Sequence, residues 1–223
     1  MTPVQQNLAE LRTTIPADVT LVAVSKFHPA EMIQQAYDIG QRIFGESKVQ
    51  ELLGKKEILP TDIKWHFIGH LQTNKVKFIA PFISLIHSID SLRLLQEVNK
   101  CAAREQRVID VLLQIHVAQE QTKFGFTPDE CLALFSQHNI QEWTNIRICG
   151  IMGMASFTDN TTQIRQEFGI LREVFERLKN ETFAQEDYFK WRSYGMSDDY
   201  PIAIEEGSNM VRIGTHIFGV RNY

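Results

Sequence analysis

Lys26 follows the first β-branched run, Val19–Val24, and shares the parity of Val22 and Val24. Alternate residues of a strand face the same side, so this lysine stands in line with positions expected to be buried. Desolvation there would depress its pKa and free the amine lone pair for attack on a carbonyl, giving a Schiff base. The plain alternative is an ammonium just past the strand end that reaches into water. Near the other end of the chain, Met210-Val211-Arg212-Ile213-Gly214-Thr215 sets a bare backbone amide beside a hydroxyl, and Gly195-Met196-Ser197 makes a second small-residue turn. Two such turns can hold a phosphate, although glycine and serine are also what ordinary tight turns use.

Arg212 shares parity with Met210 and Gly214, so it faces inward if Val211 and Ile213 face the helices. A buried guanidinium needs a partner, either a ligand or a carboxylate such as Glu46 or Asp198. His66 alternates with Trp65 and Phe67 and also reads as inward-facing, as a satisfied core histidine. The histidines at 28, 70, 87, 116, 138 and 216 have no close metal-ligand spacing, so no metal is expected. Cys101, Cys131 and Cys149 form no C-x-x-C pair, which excludes a zinc ribbon or disulfide framework and suits a reducing, cytoplasmic setting.

The 223 residues carry a net charge of −4 with 43% apolar residues, which excludes both a strongly basic nucleic-acid binder and a disordered chain. The start of the chain has no basic or apolar leader, and the most apolar stretch, Phe78 to Ile86, is broken by Pro81, so neither a signal peptide nor a membrane span is expected. Strands are expected at Val19–Val24, Arg42–Phe44, Lys64–Ile68, Ser84–His87, Ile109–Val117, Ile146–Met152, Tyr188–Tyr194 and Met210–Ile213. Helical patterns fall at Pro29–Ile39, Val49–Ile58, Thr73–Ile79, Ser91–Glu105, Pro128–His138, Thr161–Lys179 and Tyr200–Glu206, with an extra helix, Pro3–Thr14, ahead of the first strand. Pro29 and Pro128 fit first-turn positions and Ser91 a cap. This alternation without a Gly/Ser linker favours one closed (β/α)8 TIM barrel over residues 1–223 against a doubly wound open sheet. Chemistry in such barrels collects at the C-terminal ends of the strands. Those junctions are polar here: Ser25-Lys26, Gly45-Glu46-Ser47, Gly69-His70, His87-Ser88, His116, Met152-Gly153-Met154, Gly195-Met196-Ser197 and Gly214-Thr215.

The segments Ala23-Val-Ser-Lys26, Phe44-Gly-Glu46, Trp65-His-Phe-Ile-Gly69-His-Leu-Gln-Thr-Asn-Lys75, His87-Ser-Ile-Asp90, Lys123-Phe-Gly-Phe126, Gly150-Ile-Met-Gly-Met-Ala155, Gly195-Met-Ser-Asp198 and Gly207-Ser-Asn-Met-Val-Arg-Ile-Gly-Thr215 together resemble the pyridoxal phosphate homeostasis protein family. The resemblance runs nearly end to end. It implies a barrel similar to the N-terminal domain of alanine racemase that binds pyridoxal 5′-phosphate (PLP). By that resemblance Lys26 carries the cofactor as an internal aldimine, and Ser197, Gly214 and Thr215 cradle its phosphate beside Met196. Arg212 faces the pyridine nitrogen, and His66 and Ser47 complete the expected cofactor-binding set. Position 47 departs from the family, which usually has asparagine there, and the shorter serine loses the amide's reach; His116 likewise stands where asparagine is common.

An arginine facing the ring nitrogen donates and does not give up its proton, so the nitrogen stays an unprotonated acceptor and the ring a weaker electron sink. Racemases that resemble this chain add a tyrosine from a C-terminal β-domain that nothing here resembles. The resemblance therefore implies a PLP carrier or buffer without dedicated turnover. The alternatives are a weak racemase-type enzyme and a regulatory module that responds to PLP. PLP-dependent apo-enzymes or amino acids are the expected partners of the loaded form; no nucleic acid or membrane is expected, and the barrel is expected to be monomeric.

Overall fold

Period-2 runs rich in Val and Ile alternate with capped amphipathic segments, and the computed structural model, which describes residues 1–119, 124–139 and 142–220, folds them into a closed parallel barrel. Its strands are β1 (Thr20–Val24), β2 (Ile43–Glu46), β3 (Lys64–Phe67), β4 (Leu85–Ile89), β5 (Ile109–Ile115), β6 (Ile146–Gly153), β7 (Trp191–Ser193) and β8 (Met210–Ile213). Each pairs with the next, and β8 returns to β1 with Val22 opposite Arg212. The helices are α1 (Pro3–Thr14), α2 (Ala30–Asp38), α3 (Val49–Ile58), α4 (Val76–Ile79), α5 (Leu92–Arg104), α6 (Pro128–Gln137), α7 (Thr161–Glu181), α8 (Tyr200–Glu205) and α9 (Thr215–Phe218).

Local chemistry accounts for the helix starts. Thr2 and Gln5 form a capping box with Pro3 in the first turn of α1, and Thr127, Pro128 and Glu130 repeat the device at α6. Ser91 Oγ accepts from the Leu94 amide, and α5 then buries Leu94, Leu95, Val98, Cys101 and Ala102 as one face. Pro29, by contrast, is the residue before α2, with an extended ψ of 159°, and not its first turn.

Several boundaries differ from the sequence reading. Strand β2 continues through Gly45 to Glu46 because β3 pairs with it that far. Residues 188–190 and Tyr194 fall outside β7, which is only Trp191–Ser193. The expected Thr73–Ile79 helix opens as a 3-10 turn over Thr73–Lys75, and α9 was not anticipated.

The interior of the barrel is graded along the strands. Val22, Leu85, Leu112, Cys149, Met152 and Met210 form an apolar plug, while the main core lies between strands and helices. Two residues further toward the C-terminal ends, Leu85 gives way to His87 and Met210 to Arg212, both nearly or fully buried. Hydrophobic closure thus falls at one end and polar chemistry toward the other. Gly150 permits a local irregularity in β6: its φ is 148°, the β5–β6 register shifts beside it, and a Cβ there would lie 1.9 Å from Trp191 O. Gly150→Ala is expected to cost about 3 kcal/mol or more, read as a lower urea midpoint; an unchanged midpoint would mean that the bulge is not needed.

Candidate functional site

Lys26 lies two residues past the end of β1, half-buried rather than directed wholly into water. It lines a cavity of about 250 Å3 together with Arg212, Met196, Ser197, Gly214 and Thr215, walled by Val24, Ile68, Met154 and Phe157. The ends of β1, β7 and β8 thus bring together the lysine, the arginine and both small-residue turns. Two contacts set how the turns meet. The Arg212 amide donates to Gly195 O at 3.0 Å, and a Cβ on Gly214 would lie 2.9 Å from Val24 O. Gly214 therefore owes its place to close approach to β1. The Met196 amide donates to Asp199 Oδ1 at 2.6 Å, which closes the β7 turn. At the start of α9 the Thr215 and His216 amides have no intrahelical partner, as at any helix N-terminus, while Ile217 and Phe218 donate to Gly214 O.

Arg212 is 4% exposed and takes neither proposed carboxylate partner. Its guanidinium donates to Ser193 O at 2.6 Å, Ser193 Oγ at 2.8 Å and Gly153 O at 2.9 Å. Glu46, one of the two carboxylates considered, accepts from Ser25 and Lys55 instead. Burial lowers the Arg212 pKa to about 10, opposed by the nearby Asp199 carboxylate, so the group remains cationic at neutral pH.

Behind Arg212 runs a buried polar chain. Ser193 Oγ lies 3.0 Å from His87 Nδ1, and His87 Nε2 lies 2.9 Å from His66 Nδ1. Arginine only donates, so a serine proton passed to His87 Nδ1 leaves His87 Nε2–H to donate to His66. Desolvation holds the His66 pKa down at about 3 and that of His87 well below its ordinary value, keeping both rings neutral.

Two residues of the expected set do not line the cavity. His66 sits within the barrel as the end of the histidine pair. Ser47 opens on a separate depression of about 310 Å3 with Lys48, Gln50, His70, Gln72 and Lys75, because β2 ends at Glu46 and turns the chain toward α3. Lys123, quoted in one of the motifs, lies outside the described residues. Ile68, Phe157 and Ser193 were not singled out from sequence, and Met154 was named only as part of the rim junction after β6. Ser193 shares its strand face with Trp191, which was the available signal, but its bonds to His87 and Arg212 span 106 and 19 residues.

The site offers an amine for an aldehyde, hydroxyls and amides for an anion, and a fixed cationic donor for a ring acceptor, which fits the chemistry of PLP. The chain matches the family described as alanine racemase, N-terminal domain, over residues 2–222. It is 40% identical to the pyridoxal phosphate homeostasis protein of Aquifex aeolicus over 204 residues, covering 91% of this chain and 87% of that one. PipY of Synechococcus elongatus PCC7942, solved with PLP bound, superposes with a TM-score of 0.86 at 33% identity, covering 97% of this chain and all of that one. Alanine racemase from Bartonella henselae shares the fold, at a TM-score of 0.73 and 16% identity, with 98% of this chain covering 59% of the racemase.

Proposed function

This chain belongs to the pyridoxal phosphate homeostasis proteins, which are built on the alanine racemase N-terminal domain, and on that premise we propose that it binds PLP covalently through Lys26 and serves as an intracellular carrier or buffer of that cofactor. The single observation that carries the reading is the convergence of Lys26, Arg212, Ser197, Gly214 and Thr215 on one cavity. When bound, PLP supplies an aldehyde and an electron-withdrawing ring. Lys26 supplies the amine, the two turns receive the phosphate beside Met196, and Arg212 donates to the ring nitrogen. A cation that keeps its proton favours an unprotonated ring nitrogen, which disfavours transaminase- and decarboxylase-type chemistry and leaves racemisation electronically permitted, so a carrying role is the reading and a weak racemase-type activity its alternative. We assign the protein to the cytoplasm, in keeping with its three unpaired buried cysteines; among the described residues no helix is long and apolar enough to cross a membrane.

The test is an absorbance spectrum of PLP-loaded protein before and after borohydride, followed by peptide mapping. Fixation on the peptide containing Lys26 supports the reading; fixation elsewhere, or none, removes it. A second expectation concerns the phosphate. Thr215→Val should weaken PLP binding by about 1–2 kcal/mol, the scale of a lost charge-assisted hydrogen bond, and leave pyridoxal, which has no phosphate, unaffected. Equal losses for both ligands would remove Thr215 from the cradle.

A further inference from the structure

The backbone on either side of Lys26 is gripped from α3. Lys55, whose side chain is 8% exposed, donates from Nζ to Ser25 O at 2.8 Å, Glu46 Oε1 at 2.7 Å and Glu51 Oε1 at 2.6 Å. An ammonium has three protons, so all are committed. Glu51 Oε1 also accepts the Phe27 amide at 2.5 Å, and Glu46 Oε1 accepts the Ser25 hydroxyl at 2.6 Å. Ser25 O belongs to the peptide group before Lys26 and the Phe27 amide to the one after it. Holding both planes fixes the Lys26 backbone torsions and with them the direction of its Cα–Cβ bond.

Phe27 adds a reason for the grip. Its φ of 68° lies in the left-handed region that an aromatic residue rarely adopts. The residue is 40% exposed, with Lys48 Nζ 4.7 Å from its ring centroid, so burial alone does not account for that conformation. Strain of this kind persists only where surrounding contacts over-determine it, and the Glu51 bond to the Phe27 amide is such a contact. The His28 amide, which donates to Ser25 O at 3.1 Å, closes the same turn, so the Glu51 bond is the side-chain part of a grip that the turn shares.

We propose that Glu51 and Lys55 are positioning residues that hold the Ser25–Lys26–Phe27 backbone so that the lysine amine meets the cofactor's aldehyde. The inference rests on the reading of Lys26 as the attachment point. Its test compares PLP with pyridoxamine 5′-phosphate, which keeps the ring and phosphate but has an amine in place of the aldehyde and cannot link to lysine. In Glu51→Ala, visible-absorbance titration should give about tenfold weaker covalent attachment, the equilibrium equivalent of the strain released at Phe27. Pyridoxamine 5′-phosphate binding, followed by fluorescence, should stay within about twofold, since its contacts are untouched. Glu51→Gln keeps an acceptor for Phe27 and should remain near wild type.

Adding Phe27→Gly to Glu51→Ala should restore attachment, because glycine adopts the left-handed backbone without a clamp. Unchanged PLP attachment in Glu51→Ala, an equal loss of pyridoxamine 5′-phosphate, or no rescue by Phe27→Gly would each overturn the proposal. Wild-type protein that forms no adduct at Lys26 would defeat the underlying reading and this inference together. Wild-type protein that loads normally beside an unaffected Glu51→Ala defeats the inference alone.

Discussion

Lys26→Ala is expected to abolish the visible absorbance of protein incubated with PLP while leaving the thermal midpoint of the cofactor-free chain within about 2 °C of wild type. The two halves of this expectation have separate physical causes. Covalent attachment needs an amine on the cavity wall, and the cavity described above is lined by one lysine. Stability, by contrast, rests on the apolar plug and on the layer between strands and helices, to which a half-buried lysine past the end of β1 adds little. Pyridoxamine 5′-phosphate should still bind the variant, since both turns and Arg212 remain. Absorbance retained by the variant would mean that another lysine is the anchor; a large drop in midpoint would mean that Lys26 is part of the scaffold.

Acidification should destabilise the protein through the histidine pair before most carboxylates are protonated. The sign follows from linkage. Burial depresses both histidines below their ordinary value near 6.5, His66 to about 3. Between those pH values the unfolded chain therefore binds protons that the folded chain refuses. The stabilisation is whole above about pH 6.5 and is lost as pH falls toward the folded values, at about 1.4 kcal/mol per pH unit for each histidine. Glu46 and Asp199 act the other way, because desolvation raises their pKa and the folded chain then holds their protons more tightly. His66→Asn retains an oxygen acceptor for His87 Nε2 and removes one titrating ring. Urea midpoints measured from pH 7 to 5 should thus fall clearly less steeply in the variant than in wild type. Parallel slopes would sink the assignment of neutral buried rings.

Lys26 and Arg212 were legible because strand parity is local: Val22, Val24 and Lys26 alternate, as do Met210, Arg212 and Gly214, whatever the rest of the chain does. The turn residues Ser197, Gly214 and Thr215 could be read for the same reason, since small residues after a strand limit what the backbone can do there. Parity also turned His66 inward, but it could not say that the ring would meet His87 instead of the cavity. Nor could it show that Ser47 would leave the mouth with the start of α3. Where β2 and β7 stop was equally hidden, because a strand ends where its neighbours stop pairing with it, and those neighbours are distant in the chain.

The same distinction separates the arginine from its partners. Alternation turned Arg212 toward the interior; barrel closure decided that it would meet Ser193 and Gly153 and not Glu46, which Lys55 already holds. One-dimensional pattern reports which way a side chain faces, because that depends on its own backbone. Which group it meets depends on how eight strands close on one another, and hydrogen bonds and buried charges are settled by that meeting.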